Sequence, residues 1–169
     1  MEHTLLFDFL DPGRSDGWLT LNDPVMGGLS SSTVATGAHG LVFSGTISLE
    51  NNGGFASLRS PEDPGLGRRA AGASALRVRA RGDGKTYAVQ VGVDGQPWAY
   101  VQRFATAAGV ERVYDLPVDR FQAVDMFLNP VPAAPQQLDP SNADQICVYI
   151  LDKQQGAFEL TIASIDAVI

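Results

Sequence analysis

Four arginines are the residues whose type and spacing are best suited to binding chemistry in this sequence. Arg77, Arg79 and Arg81 alternate with apolar residues, and Arg59 closes another short run. Residues two apart in an extended strand project from one face, so three guanidinium groups lie side by side. A guanidinium group donates paired hydrogen bonds to carboxylates and other planar acceptors. The pattern indicates either a groove for carboxylates, sugars or a protein partner, or a solvated outer face of a sheet.

Aromatic and amide side chains on neighbouring segments could extend such a groove. Trp98 follows a proline in a predicted loop and is the aromatic candidate for stacking on a sugar ring or filling a partner's pocket. Gln102, together with Gln90 and Arg103, lies on predicted strands near the arginines. Tyr87 follows the apolar face of its strand, so we expect it to pack in the core.

Two loops carry asparagine or aspartate beside glycine. Asn22 and Asp23 precede Pro24 in the first loop, and Asn51 begins the second. Their oxygens could bind a ligand or a calcium ion, but Asx side chains also bond their own backbone to hold turns. Both interpretations stay open. The second loop lacks a following lysine and a following helix, so it is not a nucleotide-binding loop, and we predict no cofactor and no metal.

Catalytic constellations are scarce. The chain has two histidines, His3 near the terminus and His39 in a loop, and they complete no Ser/His/Asp or Cys/His set. Cys147 lies in an apolar run and is expected to be an inert core thiol. Nineteen acidic residues make carboxylate pairs common without singling out two of them. We therefore expect a protein that is not an enzyme.

Charge and cysteine count exclude several classes of protein. The formal net charge is −7, which disfavours nonspecific nucleic-acid binding. One cysteine excludes an internal disulfide. No apolar run approaches the roughly 20 residues that span a bilayer. The N-terminus lacks a basic region, so we expect no signal peptide, no membrane span and a cytoplasmic location.

Short alternating runs between eighteen glycines and ten prolines are typical of an all-β protein. We predict nine or ten strands in an antiparallel β-sandwich with jelly-roll topology, forming one domain over residues 1–169. Turns are expected at 51–54, with 55–59 as the returning strand, and at 82–84. Residues 60–72 are predicted to be an exposed loop, and 121–140 irregular surface chain. The main predicted strands are 3–10, 41–49, 55–59, 76–81, 85–93, 99–104, 110–116, 146–151 and the run through 158–162.

An ordered set of short motifs spans most of the chain. It comprises Trp18; Asn22-Asp23-Pro24-Val25-Met26-Gly27-Gly28 with Ser30; Phe43-Ser44-Gly45-Thr46; Asn51-Asn52-Gly53-Gly54-Phe55-Ala56-Ser57 with Arg59; Arg81-Gly82-Asp83-Gly84 with Tyr87; Leu116-Pro117 with Phe121; and Asp152-Lys153-Gln154 with Gly156 and Phe158. In this order the motifs resemble the family of complex I intermediate-associated protein 30. One departure is a missing tryptophan before Leu116, where Val113 or Tyr114 stands.

The resemblance implies a galactose-binding-like jelly roll, similar to some carbohydrate-binding modules. The family's better-known members look like assembly factors for respiratory NADH dehydrogenase and act by binding partners. The first hypothesis is therefore a non-catalytic protein-interaction module. The alternative is a carbohydrate or small polar ligand held on the concave sheet face, and a lesser one is an enzyme of unknown type.

Overall fold

Two antiparallel sheets make up nearly all of the structure. The computed structural model describes residues 3–10, 17–22, 31–49, 54–125 and 128–169. Within these ranges the chain forms twelve strands and one short α-helix, and every strand pair is antiparallel. The predicted all-β antiparallel sandwich is confirmed.

The first sheet is built around the longest strand. Its members are β1 (His3–Asp8), β3 (Ser31–Gly37), β4 (Gly40–Ile47), β6 (Ala75–Arg81), β9 (Glu111–Pro117) and β12 (Gly156–Val168). They run in the order β3-β4-β12-β6-β9, and β1 also pairs with β12. At 13 residues, β12 is long enough to pair with β4 along its first half and with β1 along its second.

The second sheet packs its inner face on the first. Its members are β2 (Leu19–Asn22), β5 (Ala56–Arg59), β7 (Thr86–Val93), β8 (Ala99–Ala105), β10 (Gln122–Val124) and β11 (Ala143–Ile150). They run in the order β10-β8-β7-β11-β5-β2. Consecutive strands β6 and β7 belong to different sheets, so 82–84 carries the chain across the sandwich and is not the turn of a hairpin.

Alternating apolar residues from both sheets form the core. Tyr87 is fully buried, as predicted, and its ring lies 6.3 Å from that of Phe104. Phe104 in turn lies 5.0 Å from Tyr114 of the opposite sheet. Near the first strand, Trp18 packs edge-on against Phe9, with 5.1 Å between ring centroids. These ring contacts connect the two layers across the core.

The predicted alternation holds except where a strand is bulged or ends. Leu41, Phe43 and Ile47 face the core as expected, but Leu49 lies beyond the end of β4 and is 39% exposed. Leu5 was expected to share the core face with Phe9, yet it is 49% exposed. A register shift in β1 between residues 5 and 7 reverses which side chains of the strand face the core.

The strand following the second Asn/Gly loop does not return along β4. Instead, β5 pairs with β2 and β11 in the second sheet. The predicted turn residues 51–53 lie outside the described residues. Strand β3 was not predicted at all, because its small polar residues show no apolar alternation.

Two segments predicted to be surface chain contribute to the core. Residues 60–72 contain helix α1 (Leu66–Ala70), in which Leu66 is fully buried. A Cβ at Gly67 would lie 2.1 Å from the carbonyl oxygen of Ser141, so glycine lets the helix backbone touch the neighbouring chain. Residues 121–140 include β10 and also bury Leu138. Glycine and proline content concealed both features.

Asp83 stabilises the connection that carries the chain from the first sheet to the second. One carboxylate oxygen accepts hydrogen bonds from the Tyr87 hydroxyl at 3.0 Å and from the Lys85 backbone N–H at 3.1 Å. The other accepts from the backbone N–H of Glu159 on β12 at 2.9 Å. One side chain thereby joins the start of the second sheet's β7 to the first sheet's longest strand.

Replacing Asp83 with alanine is expected to destabilise the fold by about 2–4 kcal/mol, because three hydrogen bonds are lost and the buried Tyr87 hydroxyl is left without an acceptor. Urea unfolding measures the change. Tyr87→Phe should cost less in the Asp83→Ala background than in the wild type, because it removes the orphaned hydroxyl. Exposed Glu62→Ala is the control, expected within about 0.5 kcal/mol of wild type. Additive effects of the two substitutions would contradict this role.

Candidate functional site

The arginine strand lies on the outer face of the first sheet, where acidic residues flank it. Arg77 makes a bidentate ion pair with Asp115 on β9, with Nε–Oδ1 2.7 Å and Nη2–Oδ2 3.2 Å. Its partner on the other side, in β12, is Asp166. This pair lowers the pKa of Asp115 and raises that of Arg77. At Arg77 the positive charge is therefore balanced within the sheet.

The next two arginines are exposed. Arg79 lies between Val113 and Ser164 in the strand register and makes no hydrogen bond or ion pair within the described ranges. Arg81 stands opposite Glu111. The three guanidinium groups do project from one face, as predicted, but the face is a mixed-charge surface.

Asp166 is the unusual member of this face. Its Oδ2 lies 3.3 Å from Nδ1 of His3, and its side chain is 13% exposed. Its Oδ1 is buried without a hydrogen-bond partner. Burial raises the pKa of Asp166, against the opposing effects of His3, Arg77 and Arg79. The carboxylate thus carries a desolvation cost that its cationic neighbours only partly offset.

The outer face of the second sheet has a different construction. Strand register aligns one residue from each of the six strands, and polar and apolar residues alternate in this row from β5 to β10. A second apolar cluster, separate from the main core, includes Val101 and Cys147 of this row. Its other buried members flank the row and are Ala88, Tyr149, Val124 and Leu151. We call this row the cross-strand row; it consists of Leu19, Arg59, Cys147, Gln90, Val101 and Gln122.

Arg59 and Tyr149 are the central polar pair of that face. The Arg59 guanidinium donates a hydrogen bond from Nη2 to the Tyr149 hydroxyl at 2.8 Å. Its carbon lies 5.8 Å from the centre of the same ring, within cation–π range. Tyr149 is only 7% exposed, and burial raises its pKa. The arginine Nε is buried without a hydrogen-bond partner.

A second bidentate pair borders the face. Arg103 on β8 donates to Asp152 in the β11–β12 connection, with Nε–Oδ2 2.8 Å and Nη2–Oδ1 2.9 Å. Hydrogen bonding to this carboxylate raises the pKa of Arg103. Both groups are about half exposed, so the pair is a surface feature of modest energy.

The structure separates the predicted groove residues. Arg77, Arg79 and Arg81 lie on the first sheet, and Arg59 lies on the outer face of the second. The predicted extension of the arginine strand by the glutamines and Arg103 is therefore wrong, because those residues belong to the opposite sheet. Gln102 points between the sheets and donates from Nε2 to the Pro117 carbonyl at 2.9 Å.

The remaining candidates lie elsewhere. Trp98 is in a loop, as predicted, but packs partly buried against the main core. Asn22 ends β2, and its side chain is outside the described residues, as are Asp23 and Asn51. Tyr149 was missed, because the nearly continuous apolar run of β11 concealed its position. Its outward alternation with Cys147 was the available signal.

Cys147 is a buried member of the cross-strand row. It is 2% exposed, and burial raises the pKa of its thiol to about 11, with a small opposing effect from Arg59. The described residues contain no cluster of three histidine, cysteine or acidic side chains able to hold a metal. Within the same ranges no helix is long and apolar enough to cross a bilayer.

Comparison with known families identifies the fold's relatives. The family model described as complex I intermediate-associated protein 30 (CIA30) matches residues 7–162. The chain belongs to this family. The resemblance drawn from the short motifs is thereby confirmed. A search among curated proteins finds no match.

Solved structures similar to this family member include sugar-binding modules. A family 11 carbohydrate-binding module from Clostridium thermocellum, in complex with a β-1,3-1,4-mixed-linked tetrasaccharide, has a TM-score of 0.64 at 15% identity, covering 98% of this chain and 95% of that one. A family 29 carbohydrate-binding module gives 0.53 at 12%, covering 98% and 87%. An agarase gives 0.65 at 12%, covering 100% of this chain and 25% of the agarase. These likenesses confirm the jelly-roll fold.

We expect Asp166→Asn to raise the melting temperature at neutral pH. The pKa of Asp166 is raised in the folded state, so wild-type stability falls as the pH rises from the unfolded value of 3.8 through the folded one. The difference in stability in favour of the variant should grow across this pH range and remain at higher pH. Thermal melts between about pH 3 and about pH 7 measure the difference in melting temperature between the variant and the wild type. A variant less stable than wild type at every pH would contradict the assignment.

Cys147 should resist thiol reagents in the folded state. With its pKa near 11, its thiolate fraction at about pH 8 is roughly two orders of magnitude below that of an ordinary cysteine. Labelling with a chromogenic disulfide should be slower than in denaturant by at least that factor. Equal rates in both states would show that the thiol is accessible.

Proposed function

We propose that this chain is a single-domain, non-catalytic module that docks onto a partner protein through the outer face of its second sheet. Membership of the complex I intermediate-associated protein 30 family supports a partner-binding role, since the family is named for association with an intermediate. Antiparallel strands that align one residue from each of six strands provide a rigid surface for such a contact.

The juxtaposition of Leu19 and Arg59 carries this proposal. The two are direct neighbours across β2 and β5. Leu19 is 68% exposed, and Arg59 is half-buried beside it. An exposed apolar side chain costs little to desolvate, and arginine is enriched at the energetic centres of protein interfaces. Together they form an anchor of apolar surface and directed hydrogen-bond donors.

The covered ring of Tyr149 favours a protein over a sugar. Stacking on a sugar requires an exposed aromatic face, but this ring is 7% exposed. The Arg59 guanidinium lies 5.8 Å from its centre. The floor of the face is built from buried apolar side chains, and the ring of Phe55, which is only partly exposed, packs against them 6.5 Å from that of Tyr149. Shape and chemistry therefore suit a partner that brings its own side chains.

The finer assignment is to an assembly intermediate of respiratory NADH dehydrogenase in the cytoplasmic compartment. It rests on the family's name and on the sequence, whose single cysteine requires no oxidising environment.

A carbohydrate ligand is the second candidate, favoured by the cross-strand row. Arg59, Gln90 and Gln122 occur on every second strand, so their planar polar groups repeat at roughly 10 Å across the sheet. Such a repeat suits an extended polymer with regularly spaced hydroxyls. The structural neighbours include carbohydrate-binding modules of families 11 and 29.

Leu19→Asp is expected to abolish partner binding without harming the fold, because the side chain is exposed and aspartate cannot enter an apolar contact. The immobilised domain is incubated with detergent-solubilised membranes of the source organism, and NADH dehydrogenase subunits are quantified by mass spectrometry. Recovery should fall at least tenfold with Leu19→Asp.

Val113→Asp is the matched control. Val113 is 47% exposed on the outer face of the first sheet, so the same negative charge replaces an exposed apolar side chain on the opposite side of the sandwich. Its recovery should equal that of wild type. No enrichment by the wild type, or equal loss with both variants, would contradict the proposed surface.

The sugar candidate predicts calorimetric binding of a β-1,3-1,4-mixed-linked tetrasaccharide. Gln90→Ala should weaken that binding by roughly tenfold, since one amide contributes about one to two hydrogen bonds. Arg79→Ala on the other sheet should leave it unchanged. Absence of measurable heat at millimolar sugar would count against the carbohydrate function while leaving the protein-docking test unaffected.

A further inference from the structure

Five strands of the sandwich pair with one other strand each among the described residues, and they differ in how their free edges are protected. An unpaired strand edge offers backbone groups to any other chain, and proteins usually block it with charge, proline or short length. In the first sheet, β9 carries Glu111, Arg112 and Asp115 and ends at Pro117. In the second sheet, β2 has four residues and β10 three. Strand β1, whose single partner is β12, carries the charged Asp8. Each of these four edges has at least one such protection.

The remaining edge, β3, has none of them. Its sequence Ser31–Gly37 contains seven residues, no charge and no proline. Most of the strand is exposed, and its single partner among the described residues is β4. On the outer face the neighbouring residues of β4 are Val42, Ser44 and Thr46, which are also uncharged. Within the described residues, β3 thus presents a long, uncharged edge with no second strand beside it.

The hairpin geometry identifies the free backbone groups. Strands β3 and β4 are joined by a two-residue turn between Gly37 and Gly40, which face each other in the register. The residues that flank a two-residue turn form a hydrogen-bonded pair, and such pairs alternate along the ladder. Gly37 and Ala35 thus bond to β4, whereas Thr36 and Val34 direct their N–H and C=O groups to the free edge.

We propose that β3 is a self-association edge that pairs antiparallel with β3 of a second copy of this chain. A two-fold axis at Ala35 places Val34 of each copy opposite Thr36 of the other. Each of these N–H groups then donates to a facing carbonyl, giving four hydrogen bonds between the copies. The two copies satisfy each other's free groups in one isologous contact.

Side-chain chemistry fits this pairing. On the outer face Ala35 meets Ala35, and Thr33 meets Gly37, so no side chain is too large. On the other face Val34 meets Thr36, and both are β-branched residues that pack well across strands. No charge of like sign comes together along the strand. On β9, by contrast, a two-fold axis at Val113 would place Glu111 opposite Asp115.

The contact is small and the whole chain is acidic, which sets the expected strength. Two seven-residue edges bury less than the roughly 1,000 Å² of a stable interface, so the dimer is weak and forms only at high protein concentration. Each copy carries a net charge of −7, and the repulsion between copies is screened by salt. Dimerisation therefore strengthens as the salt concentration rises.

Sedimentation equilibrium with charge-swapped variants tests the pairing. Ala35 is exposed, so Ala35→Lys and Ala35→Glu leave the fold intact. Each variant alone places two like charges across the axis and should weaken dimerisation at least tenfold. An equimolar mixture of the two should restore a dimer at least as tight as wild type. Amide exchange at Val34 and Thr36 should slow with concentration.

Val113→Lys on β9 is the matched control and should dimerise like wild type. A wild-type chain that stays monomeric to about 1 mM at high salt would overturn self-pairing and leave the edge to a strand from another protein. Dimerisation that persists in Ala35→Lys, or is lost in Val113→Lys, would place the contact elsewhere and overturn the proposal. Failure of the mixture to recover would exclude the axis at Ala35.

Discussion

The structure depends on the hydrogen bonds by which Asp83 holds the chain as it crosses between the sheets. Strands β6 and β7 are consecutive, yet they lie in opposite layers, so the residues between them set the spacing and alignment of the sandwich. The carboxylate binds Tyr87 on one side and the backbone of Glu159 on the other. Gln154 reinforces the same end, because its amide bonds both the N–H and the C=O of Thr86. Several of the short family motifs therefore stabilise the fold through hydrogen bonds.

The two outer faces that this alignment produces have opposite chemistry. On the first sheet the arginine strand is flanked by acidic residues, and Arg77 is satisfied by Asp115 within the fold. Water and counter-charges can serve such a face without a partner. The second sheet instead exposes Leu19 beside Arg59, above a floor of buried apolar residues. The first sheet also sets exposed Val113 opposite Arg79, so the second face is distinguished as the candidate by its partly buried Arg59–Tyr149 pair and the unpartnered Arg59 Nε.

The edges of the sheets complete this picture. Charge, proline and short length protect four of them, whereas β3 combines length with uncharged, small and β-branched residues. Residues of this kind pack well against a neighbouring strand but show no apolar alternation. The feature that makes the edge suitable for pairing is also the feature that concealed the strand in the sequence.

The sequence by itself determined the class of fold, most of the strands and the family, because period-two alternation and ordered motifs are local properties. It also determined that Arg77, Arg79 and Arg81 share a face. It did not determine which strands are neighbours, since pairing depends on contacts between residues far apart in the chain. Only the tertiary structure placed Arg59 with Tyr149 on one sheet and the arginine strand on the other. It alone showed that glycine and proline in 60–72 surround a buried helix, because backbone packing against Ser141 leaves no trace in the local pattern.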